Sequence, residues 1–259
     1  MSLFEELIED KEVDKEIIKS FGSKDSLPDT IFSNDNGNYK LKDEIRKKLL
    51  EISNEFLEFI GIDFFVFDVV LTGSLANYNW SKYSDVDLHI LIDLDEFGVN
   101  KVNSTVHHQI VKEFFDSKKL IWNDTTNIKI KGFDVELYVQ DIDEKHSSSG
   151  VYSVLNNEWV IEPQKSNPKI DDRKILEKGE EYAKLIDNLS GKSETGKDVN
   201  DDINKLKSKI KKFRQSGLER GGEYSYENLT FKLLRRNGYI QKLMNIKTFI
   251  RNKKLSLTQ

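Results

Sequence analysis

The strongest constraint on the fold is a pair of apolar strands joined by a short polar turn region. Residues 64–71 are apolar, β-branched and aromatic, which predicts a buried strand. This run leads into Gly73 and Ser74, and ten residues later a second strand is predicted over residues 85–92. The sequence therefore predicts a sheet in which a Gly-Ser turn lies near the start of an Asp-x-Asp strand.

Two carboxylates occupy the beginning of that second strand. Side chains alternate across a strand, so Asp85, Asp87 and His89 share one face and Val86 and Leu88 share the other. Carboxylates on one face repel each other and normally need a cation between them. Mg²⁺ prefers one or two carboxylates together with substrate phosphate oxygens. The pattern predicts a magnesium site that also holds a phosphate. His89 is interpreted as a packed or hydrogen-bonded strand residue.

The Gly-Ser turn has the chemistry of a phosphate contact. Gly73 lets the backbone approach a phosphate closely, and the Ser74 hydroxyl can donate a hydrogen bond to it. A helix beginning after Ser74 would add free amide donors. Trp80 and Tyr83 follow in the same turn region, where they would either stack on a base or pack the loop against the domain.

A third carboxylate is expected from a hairpin strand over residues 133–139. Displacement at a nucleotide with two metal ions benefits from a carboxylate that bridges the ions. Asp134 and Glu136 lie on one face of the strand, so either could complete the triad. We favour Glu136 slightly because it lies further into the strand, between apolar neighbours.

Periodicity and turn residues predict the other elements of an α+β front domain and a helical back domain. The predicted elements are an acidic helix over 1–20, a loop over 21–39, a helix over 41–60, a helix capped by Ser104, hairpins over 127–140 and 151–161, helices over 171–189 and from 203, a Gly-rich loop over 217–223, and a helical region over 226–251. We expect an N-terminal helix and loop over 1–30, a catalytic domain over 31–165 and a basic helical domain over 166–259.

Charge is divided unevenly along the chain. The 40 Lys+Arg and 45 Asp+Glu give a net charge of −5, yet residues 203–259 carry +12 and the remainder −17. Within this basic segment, one set of residues recurs at helical spacing and is predicted to form one face, namely Lys232, Arg235, Arg236, Tyr239 and Lys242. The face is either a solvated surface or a contact for phosphate or RNA, and we favour the contact.

Composition excludes several other classes of protein. The chain has no cysteine, so disulfide scaffolds, thiolate zinc sites and cysteine nucleophiles are excluded. The first ten residues are acidic and do not form a secretory signal, and no stretch approaches the roughly 18 apolar residues of a membrane helix. We therefore expect a cytoplasmic protein that does not bind membranes.

These motifs, in this order, resemble the polymerase-β-type nucleotidyltransferase superfamily. The matching pieces are LTGSLANYNWSKYSDVDLHILID and GFDVELYVQ, which together anchor a catalytic core over roughly residues 41–141. The resemblance implies a mixed β-sheet with flanking helices, with Gly73 and Ser74 on the triphosphate and Asp85 and Asp87 on two Mg²⁺ or Mn²⁺ ions. Both Asp134 and Glu136 satisfy the family's context for the third ligand, an acidic residue between two hydrophobic ones.

The resemblance also implies an activity. The expected reaction moves a nucleoside monophosphate from a nucleoside triphosphate to an acceptor hydroxyl and releases pyrophosphate. A helical domain that packs over nucleotide and acceptor is common in the superfamily, which suggests Lys232, Arg235 and Arg236 as nucleotide-binding residues and an RNA acceptor with a tRNA-like end. Protein, small-molecule and second-nucleotide acceptors stay open, as does an inactive fold that serves as a binding module. The wider sequence is similar to nucleotidyltransferase-like proteins of tailed phages.

Overall fold

The computed structural model describes residues 13–97, 104–144 and 148–257, with the side chains of 104–107 left out. The chain divides into two compact units. One is Ser23–Asn167, and the other combines the described residues of Met1–Gly22 with those of Pro168–Gln259. These bounds differ from the three predicted segments, because residues 13–22 belong to the helical unit and residues 23–30 belong to the unit that contains the sheet.

The first unit has a mixed sheet of six strands as its centre. Its strands are β3 (Asp68–Thr72), β4 (Val86–Ile92), β5 (Lys129–Ile130), β6 (Phe133–Asp141), β7 (Val151–Ser153) and β8 (Glu158–Ile161), preceded by a hairpin of β1 (Phe32–Asp35) and β2 (Asn38–Leu41). The order across the sheet is β5-β6-β4-β3-β7-β8. Only the β4–β6 pair is parallel among these described strands.

Two helices cover the apolar side of this sheet. They are α1 (Asp43–Ile60) and α2 (Ser104–Thr125). Leu49 and Phe56 of α1 and Phe115 of α2 are buried in the same core as Leu71 of β3 and Leu88 of β4. The predicted α+β class, with a mixed sheet, flanking helices and a following helical region, is confirmed.

The second unit is helical. It contains a 3-10 helix (Lys15–Phe21), α3 (Asp172–Glu194), α4 (Asn200–Gly221), α5 (Tyr226–Arg236) and α6 (Tyr239–Leu255). Residues 1–12, where most of the predicted acidic helix falls, lie outside the described residues. No helix in the described ranges is long and apolar enough to cross a membrane.

Four of the predicted elements are wrong in detail. The buried strand predicted over 64–71 begins only at Asp68, and Phe65 and Phe67 before it are exposed. The loop over 21–39 contains the β1–β2 hairpin, whose turn Asn36-Gly37 has positive φ at both positions, 52° and 95°. The Gly-rich loop over 217–223 is helical instead, because α4 continues to Gly221 and a 3-10 helix follows over Gly222–Tyr224. The glycine at 217 allows close packing, since a Cβ there would lie 2.5 Å from the Cβ of Glu227. The helical region over 226–251 breaks at Gly238, where φ is 79°.

One side chain of α2 closes the open edge of β6. β5 pairs with β6 at only two residues, Asp134 and Phe133. Beyond them, the Asn123 amide replaces a neighbouring strand: its Nδ2 donates to the Leu137 carbonyl oxygen at 3.4 Å, and its Oδ1 accepts from the Leu137 amide at 3.3 Å. This contact satisfies backbone groups that would otherwise be left unpaired at a strand edge.

We predict that Asn123→Ala opens this edge. Loss of the two hydrogen bonds costs about 1 kcal/mol each, and amide exchange measured by mass spectrometry should accelerate in the β6 peptide. Gln109→Ala is the matched control, because Gln109 lies on the same helix and its side-chain amide donates to exposed Glu113. Equal exchange in β6 for both variants would contradict this role of Asn123.

Candidate active site

The parallel pairing of β4 with β6 brings two carboxylates together. Asp87 is the register partner of Glu136 and, on its other side, of Thr72 at the end of β3. Partners in register lie on the same face of a sheet, about 4.8 Å apart. The alternate residues Val86, Leu88 and Ile90 are buried on the opposite face, so the predicted alternation along β4 is confirmed.

Gly73 lies directly against the Asp87 carboxylate. Its φ is +71°, and a Cβ at this position would be 1.8 Å from Asp87 Oδ2. A side chain at residue 73 would therefore collide with the carboxylate as well as strain the backbone. The sequence suggested a glycine for close approach to phosphate, and the structure adds that the glycine makes room for Asp87.

Ser74 lies in a turn instead of at the predicted start of a helix. The Asn77 amide donates to the Ser74 carbonyl oxygen at 3.1 Å, which closes the turn. The Ser74 hydroxyl donates to Ser84 Oγ at 2.7 Å, and Ser84 Oγ also accepts from the Ser81 amide at 2.9 Å. These bonds connect the two ends of the turn region, so that Ser74 is held close to the start of β4.

Asn77 is a residue that sequence reasoning missed. Its buried side chain donates from Nδ2 to the Gly73 carbonyl oxygen at 3.0 Å and to Ser148 Oγ at 2.9 Å. Its Oδ1 accepts from Ser149 Oγ at 2.8 Å. The serines are more than 70 residues away in sequence, so no local pattern indicates this contact. Asn77 thereby fixes the Gly73 turn to the segment that precedes β7.

Trp80 packs the same turn region against its own domain. The indole Nε1 donates to the Ser26 carbonyl oxygen at 2.8 Å, and the Lys24 ammonium lies 5.9 Å from the ring centroid. These contacts correspond to the packing interpretation of Trp80. The ring of Tyr83 is half-buried, with the Lys82 ammonium 5.0 Å from its centroid.

The two candidates for the third carboxylate differ in their surroundings. Asp134 is exposed and pairs with Lys129 of the neighbouring strand β5. Glu136 is half-buried and accepts a hydrogen bond from the Tyr138 hydroxyl. Glu136 is also the candidate that lies beside Asp87 in the sheet.

The pKa of Tyr138 is affected by the nearby carboxylates. Its pKa is raised chiefly by burial, next by the hydrogen bond to Glu136, and further by the negative charges of Glu136, Asp87 and Asp85. The charges of all three carboxylates therefore act on one phenol. In the described ranges, no group of three or more His, Cys, Asp or Glu side chains is arranged to hold an ion directly. The carboxylate oxygens of Asp85, Asp87 and Glu136 are nevertheless the type of ligand that Mg²⁺ and Mn²⁺ prefer.

His89 continues this polar face beyond the carboxylates. Its Nδ1 lies 2.6 Å from Gln140 Oε1, and Gln140 Nε2 donates to the Glu144 carbonyl oxygen at 2.9 Å. Because that amide oxygen can only accept, we assign the proton to His89 Nδ1. The interpretation of His89 as a hydrogen-bonded strand residue agrees with these contacts.

The predicted basic face of the helical unit is divided by the break at Gly238. Tyr239 is buried, and Lys242 forms an ion pair with Asp187 at 2.8 Å in which both side chains are largely covered. Arg236 donates from Nη1 to Ser20 Oγ at 2.7 Å. Lys242 and Arg236 therefore have structural contacts within the unit.

Lys232 and Arg235 of α5 belong to a crowded cationic cluster with Arg236 and with Arg214 of α4. Burial lowers the pKa of Lys232, and the negative charge of Glu223 partly offsets this shift. The positive charges of Arg236, Arg235 and Arg214 lower the pKa of Lys232 further. Burial and the charge of Arg235 likewise lower the pKa of Arg214, whose guanidinium lies 4.4 Å from the Phe231 ring centroid. Such a cluster would be stabilised by a bound anion.

We predict that Gly73→Ala lowers the free energy of unfolding more than a glycine-to-alanine substitution at another position of positive φ does. An alanine at positive φ costs about 1–3 kcal/mol, and at residue 73 the Asp87 carboxylate must also move. Gly37→Ala is the matched control, because its φ is +95° and no atom lies within 4 Å of the added Cβ. Urea unfolding should show the larger loss for Gly73→Ala.

The same clash predicts a coupling between residues 73 and 87. In an Asp87→Ala background, the Gly73→Ala substitution should cost less than it does in the wild type, because the carboxylate is absent. Additive losses in the double variant would contradict the proposed contact.

One comparison with known proteins matches a large part of the first unit. Residues 39–157 match a family model described as a nucleotidyltransferase domain, and this segment contains Gly73, Asp87 and Glu136. No curated protein matches the chain significantly. A solved structure of a STING-associated CdnE c-di-GMP synthase from Capnocytophaga granulosa is 12% identical over 83% of this chain and 84% of that chain, with a TM-score of 0.21. Likeness this low establishes no shared activity. The family match covers less than half of the chain, so it shows that residues 39–157 are similar to a nucleotidyltransferase domain.

Proposed function

We propose that the protein is a metal-dependent nucleotidyltransferase. An acceptor hydroxyl attacks the α-phosphorus of a nucleoside triphosphate; the new oxygen–phosphorus bond forms as the bond to pyrophosphate breaks. The observation that carries this proposal is the register pairing of Asp87 with Glu136, next to the Gly73 turn. Three carboxylates beside a turn suited to phosphate are the parts that such a transfer needs.

Asp85, Asp87 and Glu136 would hold two Mg²⁺ or Mn²⁺ ions. When bound, such ions neutralise charge on the phosphates and lower the pKa of an attacking hydroxyl. Glu136 is our choice for the third carboxylate because Asp134 is exposed and paired with Lys129. The Glu136 carboxylate would accept the proton that the acceptor hydroxyl loses.

The triphosphate would contact the turn after β3. Gly73 lets the phosphate approach the backbone closely, and the bond from Asn77 to the Gly73 carbonyl oxygen holds the turn in place. The Ser74 hydroxyl, which donates to Ser84 Oγ in this structure, would turn its proton to the phosphate. Preorganised donors stabilise developing negative charge more than mobile ones do. We further propose that Lys232 and Arg235, with Arg236 and Arg214, bind phosphate groups of a substrate.

RNA is our proposed acceptor, since the basic segment 203–259 carries +12 and would bind a phosphate backbone. The alternative is an inactive fold that binds nucleic acid or protein. The register pairing of Asp87 with Glu136 favours an active site, because two neighbouring carboxylates repel each other without a cation.

We predict that Asp87→Asn and Glu136→Gln each reduce transfer by about 10²-fold or more while the fold is retained. The assay incubates the protein with labelled nucleoside triphosphates, Mg²⁺ or Mn²⁺ and total RNA or lysate. Label in RNA, protein or a small product identifies the acceptor class. Asp134→Asn is the matched control and should retain most activity.

Two results would contradict the proposal. Full activity of Asp87→Asn would exclude the carboxylate site. A wild-type protein that neither transfers label nor is thermally stabilised by any triphosphate with Mg²⁺ would favour the binding module.

We also predict opposite effects of Lys232→Met on stability and on binding. A lysine whose pKa is lower in the folded state destabilises that state while protonated, so stability rises with pH up to the unfolded value of about 10.4. Lys232→Met removes this penalty and should raise the melting temperature at neutral pH.

The same variant should be stabilised less by inorganic tripolyphosphate than the wild type is. Lys253→Met is the control, because Lys253 is exposed in α6, and it should change neither quantity. A lower melting temperature with an unchanged tripolyphosphate response would show that the Lys232 cluster is purely structural.

A further inference from the structure

The phenol of Tyr138 makes a direct hydrogen bond to a proposed metal-binding carboxylate. Tyr138 and Glu136 are two residues apart on β6, so their side chains lie on the same face of the sheet. The Tyr138 hydroxyl donates to Glu136 Oε2. One oxygen of the carboxylate is therefore engaged by the protein itself.

Tyr138 is held in place from two sides. The ring of His89, its register partner on β4, lies 4.8 Å away between centroids at an interplanar angle of 35°. The Lys119 ammonium of α2 lies 4.4 Å from the Tyr138 ring centroid, within the range of a cation–π contact. A ring restrained in this way holds its hydroxyl at a defined position.

Both restraints are themselves fixed by the fold. The bond from His89 to Gln140 orients the imidazole. One turn after Lys119, Asn123 binds the backbone of Leu137, the residue between Glu136 and Tyr138. The supporting residues thus come from β4, β6 and α2, which are regular elements of the unit and not loops.

We propose that Tyr138 is a positioning residue for Glu136. By occupying Oε2, it limits the rotation of the carboxylate and leaves Oε1 to bind an ion or to accept a proton. Groups that orient a metal ligand in this way typically change metal affinity by about 10–100-fold when they are removed. This inference rests on the proposed function of the carboxylates.

The test is Mn²⁺ affinity, measured by electron paramagnetic resonance on the full chain with a non-hydrolysable nucleoside triphosphate analogue. Tyr138→Phe removes only the hydroxyl and should weaken Mn²⁺ binding about tenfold or more. Tyr152→Phe is the matched control: Tyr152 is buried in the same unit, and its hydroxyl donates to Asn157 at 3.0 Å. It should lose stability without a change in Mn²⁺ affinity.

A double-variant cycle tests whether Tyr138 acts through Glu136. If it does, Tyr138→Phe should cause no further loss of Mn²⁺ affinity in a Glu136→Gln background. This comparison does not depend on the stability of any single variant, since each affinity is measured on folded protein.

The outcomes separate the two proposals. Wild-type Mn²⁺ affinity in Tyr138→Phe, or an equal loss in Tyr152→Phe, would overturn the positioning role while leaving the metal site intact. A wild-type protein that binds no Mn²⁺ with any triphosphate analogue would overturn the proposed function, and this inference with it.

Discussion

The parallel register between β4 and β6 is the constraint on which the proposed chemistry depends. It places Asp87 beside Glu136, and because the pairing continues for seven residues it also places His89 beside Tyr138. A shift of one residue would turn every side chain of one strand to the other face. Burial of Val86, Leu88 and Leu137 on the apolar side opposes such a shift. The core of the unit therefore keeps the carboxylates together despite their repulsion.

The turn after β3 is the second part of the arrangement, and its shape is set by contacts that are distant in sequence. Asn77 joins Gly73 to Ser148 and Ser149, and Gly150 approaches so closely that a Cβ would lie 2.1 Å from the Ala76 carbonyl oxygen. These contacts explain why a turn without regular secondary structure can hold donors in fixed positions. In the proposed reaction, that rigidity reduces the reorganisation needed when a phosphate binds.

Sequence reasoning predicted the features that are local and periodic. The alternation along β4 placed Asp85, Asp87 and His89 on one face, and helical spacing predicted α1. It favoured Glu136 over Asp134 only slightly, because both satisfy the same local pattern. Their difference comes from their strand neighbours, Lys129 for one and Asp87 for the other.

The roles of Asn77 and Asn123 were missed for the same reason, since their partners are remote in the chain. The β1–β2 hairpin was missed for a different reason. Asn36-Gly37 is a hairpin signal, but the surrounding polar residues suggested a loop.

The structure of a Mn²⁺ complex with a nucleoside triphosphate analogue, with the ions located by anomalous diffraction, tests the central claim most directly. The account predicts Mn²⁺ in contact with the carboxylates of Asp87 and Glu136; Mn²⁺ bound elsewhere, with these carboxylates uncoordinated, would contradict it.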